Sequence, residues 1–359
     1  MNPSITRGYN ASMYSVLKRV PLIFAALLIA GCSGGDNYFA GGTGESRGET
    51  ERLLELLRGE SDGSEARFIL IQQIANNLMA GGFPERLNVF LTTYIEKNFS
   101  DPFNAYYLFI VAQNYKNEKA YPLAAYYYER ILRNHPDIMI HGQSVHLLCL
   151  KELVHIIDRP EYRIGYYKEL LARFAGQIDE GSAWFYMGKT YEALGEWEQA
   201  IQAYTSFLKF PDTAIAGYSD VQRQVMKLLA FHNSDKHWTS DNLDSLVARI
   251  KTAINEKDAK SLTYFRAGVN FFAMSWDQEE SDVNTQSMFD LSAFLRGSRV
   301  SYARDLDSES NAQEAYLETW GWSYRVPTWY LYFRKIHYPG DPEINGRWEW
   351  AGIYFGEKI

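Results

Sequence analysis

Two thiols, on Cys32 and Cys149, are the strongest nucleophiles in this 359-residue chain. His146 stands three residues before Cys149, and on a helix that spacing brings imidazole and thiol together, as thiolate chemistry requires. Leu147, Leu148 and Leu150 surround the same thiol in sequence and favour the opposite reading, a cysteine packed as a small apolar group. Asp277, Glu279, Glu280 and Asp282 offer hard oxygen ligands suited to calcium. They lack the spacing and the glycine of a helix–loop–helix calcium loop, so a solvated loop is the default. Asp258 is either a pocket acid or a polar residue at a helix break. The chain contains no His-Glu-x-x-His, no glycine-rich phosphate loop and no Gly-x-Ser-x-Gly. Two cysteines also fall short of the usual thiolate-rich zinc site. No catalytic residue, metal or cofactor is expected, and the chain is not expected to be an enzyme.

Cys32 closes a different pattern. Arg7, Lys18 and Arg19 precede an apolar run from Val20 to Gly31 that is too short for a membrane span of ~20 residues and suits a secretory signal. The run ends Leu28-Ile29-Ala30-Gly31-Cys32. This resembles the bacterial lipobox, an aliphatic residue and two small residues before an invariant cysteine. The resemblance implies cleavage before Cys32 and a thioether from its sulfur to diacylglycerol. Each buried CH₂ of such a lipid contributes about 0.8 kcal/mol, so two or three chains anchor stably where one does not. Ser33 follows the cysteine where an aspartate would, by resemblance to the enterobacterial sorting rule, retain the protein at the inner membrane. Residues 1–31 are thus read as a signal peptide, with Met13 as an alternative start, and 32–50 as a glycine- and serine-rich tether. The expected location is a membrane surface facing the periplasm, the outer membrane in preference to the inner.

Loss of Arg7, Lys18 and Arg19 takes the formal net charge from −8 to −11. A body this acidic, with no basic stripe, repels phosphate backbones, so nucleic acid is not an expected partner. The apolar fraction of 46% is that of a core-forming chain rather than a disordered one.

Internal spacing organises residues 51–233. Leu108, Ala112, Tyr115, Ala124, Tyr128, Ile131 and Pro136 recur as Trp184, Gly188, Tyr191, Ala200, Tyr204, Phe207 and Pro211, with every interval the same except the last. Each set falls on two helices joined by a short turn. Small residues let the helices cross closely, large rings fill the gaps between, and proline stops the second helix. The pattern resembles the tetratricopeptide repeat, well matched at 105–138 and 181–212. Glu65–Met79 with Pro84–Lys97, and Ser144–Asp158 with Pro160–Phe174, read as further, degenerate pairs, and Ala216–Asn233 as a capping helix. The family resemblance implies an α-solenoid whose first helices line a concave groove. Those positions are Tyr106, Phe109, Gln113, Lys116 and Asn117 in one repeat, and Ser182, Phe185, Lys189 and Glu192 in the other. Such a mixture suits an extended peptide or a partner helix.

Residues 236–359 change character. Seven of nine tryptophans lie beyond Asn233. Asn242–Glu256 and Ser261–Met274 read as helices, and 315–324, 328–336 and 348–355 as strands, with Asn345-Gly346 a hairpin signal. The phrase Ile254-Asn255-Glu256-Lys257-Asp258 and the closing Asn345-Gly346-Arg347-Trp348-Glu349-Trp350 resemble the nuclear-transport-factor-2-like fold. That resemblance implies an α+β domain, a cone of helices on a curved antiparallel sheet, with 277–311 as an insertion. Cones of this type often hold a pocket. Asp258, Tyr302, Trp320, Trp322, Tyr324 and Tyr332 are its candidate lining, or else the rings simply fill the cone.

Two functional readings follow. In the first the chain is a membrane-tethered scaffold that binds a protein or peptide of the cell envelope in its groove; by resemblance, such lipoproteins serve envelope assembly or deliver ligands to transporters. In the second the carboxy-terminal domain binds a small molecule or acts on one, around an acid or histidine such as Asp258 or His337, and the repeats are its mount. The sequence leaves the oligomeric state open.

Overall fold

The computed structural model describes residues 38–40, 45–61, 63–278 and 290–358. The expected signal segment, Cys32, most of the expected tether and, from the acidic run, Glu279, Glu280 and Asp282 lie outside the described residues. The chain divides into two compact units, between Ile157 and Asp158.

The first unit is helical: α1 Glu45–Gly59, α2 Glu65–Ala80, α3 Pro84–Lys97, α4 Asn104–Asn117, α5 Tyr121–Asn134 and α6 Val145–Ile156. Local chemistry sets the boundaries. The Ser64 hydroxyl caps α2 by accepting from the Arg67 amide at 3.1 Å, and Pro84 and Pro122 sit in first turns, where no amide hydrogen is needed. His135, forced extended by the following Pro136, ends α5. Leu87, Leu91, Tyr107, Leu108, Val111, Ala112, Ala124, Tyr128 and Ile131 are all fully buried, so adjacent helices share one apolar seam. A two-strand hairpin unforeseen in the sequence, β1 Met139–Ile140 and β2 Gln143–Ser144, precedes α6. Its turn, His141-Gly142, has both φ angles positive, at 50° and 77°.

The second unit begins with helices: α7 Pro160–Arg173, α8 Glu180–Leu194, α9 Trp197–Phe207, α10 Val221–Asn233, α11 Leu243–Asn255 and α12 Ala259–Phe265. Gly195 closes α8 in the left-handed region at φ 74°. A Cβ on Gly188 would stand 2.6 Å from the Tyr204 ring, which explains the small residue at the crossing of α8 and α9. The capping helix starts at Val221, five residues later than the sequence suggests, where Asp220 supplies the cap.

The sheet holds β3 Phe272–Ser275, β4 Ser301–Tyr302, β5 Glu314–Trp320, β6 Thr328–Lys335 and β7 Trp348–Phe355, with the short α13 Leu291–Leu295 between β3 and β4. Its order is β3-β7-β6-β5-β4. All pairs are antiparallel except β3 with β7, so the sheet is mixed, not purely antiparallel as expected. The expected helix over Ser261–Met274 stops at Phe265. Gly268 lies against Trp238, where a Cβ would come within 2.5 Å, and the Phe271–Met274 run is buried on both sides, which suits a paired strand. The expected strand 315–324 stops at Trp320, because Gly321 (φ 85°) turns the chain past the Arg299 carbonyl. Asn345-Gly346 closes a longer β6–β7 connection: Gly346 donates to the Ile336 carbonyl at 2.8 Å.

The two sheet faces differ. Leu317, Trp329, Leu331, Phe333 and Trp350 join Leu246, Ile250 and Ile254 of α11 in the buried core. Tyr316, Tyr330, Tyr332 and Tyr354 alternate with these residues and occupy the opposite face.

Candidate functional site

In the first unit, α2, α4 and α6 are bridged by polar side chains. The Gln72 amide donates to the Tyr106 hydroxyl at 3.4 Å, linking α2 to α4. The Gln113 amide donates to Glu152 at 3.0 Å, and the Lys116 ammonium pairs with the same carboxylate at 2.5 Å, linking α4 to α6. Tyr106 and Phe109 stack at 6.5 Å, and Phe109 packs on the buried Tyr128 at 5.8 Å. Four of the five groove residues expected on α4 therefore form one continuous surface, half-buried rather than free; Asn117 is exposed at the helix end. Beside Tyr106 opens a recess of about 290 Å³, lined by Gln72, Ala75, Asn76, Met79, Tyr106, Ile110 and His141. Its lining offers two amides, a phenol and an imidazole beside Ala75, Met79 and Ile110. Gln72, Asn76, Ile110 and His141 were not read from the sequence. Gln72 and Asn76 share a helix face by their four-residue spacing, whereas His141 arrives only through the hairpin turn.

The corresponding positions of the second unit differ. Phe185 is buried, boxed by Tyr186, Tyr204, Phe207 and Tyr218, and so is core rather than groove lining. Ser182 is taken up by the Asp179 cap of α8. Lys189 pairs with Glu192 on the helix surface. Burial and the Glu192 carboxylate push the Tyr204 phenol up.

The expected carboxy-terminal pocket residues are not brought together. Asp258 caps α12, accepting from Lys260 and Ser261, and these bonds, led by the Ser261 hydroxyl, hold its carboxyl below the usual range. Tyr302 accepts from Asn255 at 2.6 Å. Trp322 is buried, stacked on Trp329 at 4.9 Å, while Trp320 and Tyr324 point to solvent. Tyr332 lies on the opposite sheet face, where burial first and Glu314 second push its phenol up to about 12. The turn at Gly321 takes Trp322 and Tyr324 out of the β5 alternation. His146 bonds the His135 carbonyl at 3.0 Å. The Cys149 thiol is fully buried, and burial pushes it up, away from the thiolate a nucleophile needs. Asp277 accepts from the Ser275 hydroxyl.

A second cavity, of about 320 Å³, lies within the second unit. Lys227, Arg334, Lys335 and His337 line it with Tyr338, Asn270 and Glu349. The buried Glu349 carboxylate accepts from Arg334 at 3.0 Å and from the Trp238 indole at 2.8 Å. His337 was noted in the sequence; the basic residues around it were not, since they come from α10 and the end of β6.

Residues 182–213 match the tetratricopeptide repeat family model, a stretch that begins in α8, contains α9 and ends at Thr213. No curated protein matches this chain. Repeats of this class commonly bind protein partners. The chain thus carries a tetratricopeptide repeat, with a helical, repeat-like region before it and a mixed five-stranded sheet domain after it, an organisation that points to protein–protein interaction.

Proposed function

We propose that this protein is a lipid-anchored scaffold of the bacterial cell envelope, not an enzyme, which holds a partner protein or peptide on the surface made by α2, α4 and α6. The observation that carries this reading is the recess beside Tyr106, where amide, phenol and imidazole groups stand beside Ala75, Met79 and Ile110. Main-chain amides of an extended segment need such alternating donors and acceptors, and Ile110 and Met79 offer a seat for an apolar side chain. The lipid on Cys32 and the tether, which ends before α1 at Glu45 rather than at residue 50 as the sequence suggests, keep that surface near the membrane, the outer membrane in preference to the inner. The sheet domain, read as nuclear-transport-factor-2-like, supplies a second contact.

The test is a crosslinking pull-down from intact membranes, comparing the native chain with Cys32→Ser. One reproducible partner, recovered from the native chain and lost with the anchor, is the expected result. Equal recovery from both would remove the anchor from the account. The basic cavity of the second unit favours a second reading, an acidic small-molecule ligand held by Lys227, Arg334 and Lys335. Lys335→Ala should weaken such a ligand and leave the recovered partner unchanged.

A further inference from the structure

Beyond β7, Lys358 reaches back across the sheet face that lies opposite the core. Its ammonium stands 4.3 Å from the Tyr316 ring centre, 5.3 Å from Trp276 and 5.4 Å from Tyr330. It also bonds Asp307 at 2.8 Å and Glu309 at 2.7 Å. Three ring faces and two carboxylates around one nitrogen make a cage for an ammonium ion. The rings are themselves braced: Trp276 stacks on Tyr354 at 4.3 Å, and Tyr316 packs on Tyr332 at 5.3 Å.

Charge at the cage exceeds what Lys358 neutralises. Asp307 and Glu309 oppose a single ammonium, and Glu318 and Glu357 also act on the Tyr330 phenol. The segment that delivers Lys358 belongs to no strand; Gly356 donates to the Thr328 carbonyl at 3.0 Å and accepts from the Trp276 indole at 3.1 Å, and Glu357 accepts from the Thr328 hydroxyl at 2.8 Å. The rings of the cage come from β5, β6 and the turn after β3, and its carboxylates from the connection between β4 and β5. The contacts that seat Lys358 are made by its ammonium, so an amine offering the same contacts competes with it directly.

We propose that this cage is a binding site for a primary ammonium on an aliphatic stem, seated in the free chain by Lys358 and opened to a ligand when the Lys358 side chain swings out. Asp307 and Glu309 require N–H donors, so a lysine-like amine fits and a quaternary ammonium does not. The cage belongs to the second unit and the recess beside Tyr106 to the first, and the success or failure of one leaves the other reading untouched.

The experiment is calorimetric titration of the full chain and of Lys358→Met with n-butylammonium, with Nα-acetyl-lysine methylamide and with tetramethylammonium. Lys358→Met should bind both primary amines saturably, and about tenfold more tightly than the native chain, in which Lys358 competes; tetramethylammonium should bind about tenfold more weakly than either. Asp307→Asn added to Lys358→Met should remove the binding. Preference for the lysine derivative over n-butylammonium would identify a peptide lysine as the ligand, and equal binding a small amine. A folded Lys358→Met that binds neither amine overturns the proposal. Should that variant fail to fold, the native chain decides. Acetylation of Lys358 should be slow relative to exposed lysines and should accelerate with n-butylammonium; a rate indifferent to the amine overturns the proposal equally.

Discussion

At the residue scale, the clearest chemistry is the pairing of Lys358 with Asp307. Asp307 is held below its ordinary 3.8 chiefly by the hydrogen bond from Lys358. Its stabilising contribution is whole above that value and is lost as pH falls through the lower, folded-state value. Burial alone would lower the Lys358 ammonium, but its bonds to Asp307 and Glu309 outweigh burial and raise it above 10.5. That contribution is whole below 10.5 and is lost as pH rises through the raised value. The contact should hold throughout the range from about pH 4 to about pH 10 and open only below the lowered Asp307 value and above the raised Lys358 value. Trp276 fluorescence should follow both transitions in the native chain and neither in Lys358→Met; identical profiles would contradict the assignment. Gly188 is the second test at this scale. Gly188→Ala drives a methyl into the buried Tyr204 ring and should cost about 1–3 kcal/mol in urea denaturation. The other repeat has Ala112 at the same place, so an unchanged stability would show that the α8–α9 crossing is looser than described.

At the element scale, the repeat helices were legible because their signals are local. Ala112 with Tyr128, and Gly188 with Tyr204, lie sixteen residues apart in each pair, and proline or glycine marks the ends. β3 was not legible. Phe271-Phe272-Ala273-Met274 reads equally as buried helix or buried strand, and its partner β7 lies some eighty residues later in the chain. The scattered pocket list has a similar cause: alternation over 315–324 looks continuous until Gly321 is seen to turn. The cage was illegible for the same reason as β3, since its rings come from positions 276, 316 and 330 and its cation from 358. Pairing of β3 with β7 depends on Gly352, where a Cβ would come within 2.6 Å of the Phe272 ring. Gly352→Ala should therefore speed amide exchange in Phe272–Ser275 while β5 and β6 stay protected. Unchanged protection of β3 would contradict the parallel register.

At the scale of the whole molecule, the division between Ile157 and Asp158 places the tetratricopeptide match at 182–213 and the sheet domain in the same unit. The sequence suggests a break near Asn233 instead, where helical spacing gives way to alternation. What it does not reveal is the packing of Tyr338 on Phe231 at 5.1 Å and on Trp197 at 5.6 Å, which ties α9 and α10 to the strand connection. A fragment of residues 158–359 should unfold in one cooperative transition, followed by both near-ultraviolet dichroism and far-ultraviolet signal. Two separate transitions would mean that the helices and the sheet are independent domains.

The central claim, that the surface of α2, α4 and α6 holds a partner at the membrane, is tested most directly by photocrosslinking in living cells. A photoreactive residue would replace Tyr106 in one strain and Tyr126, which is 58% exposed on α5, in another. The account predicts a discrete adduct from position 106 that disappears with Cys32→Ser, and none from position 126. Adducts of equal yield from both positions, or from 126 alone, would contradict it.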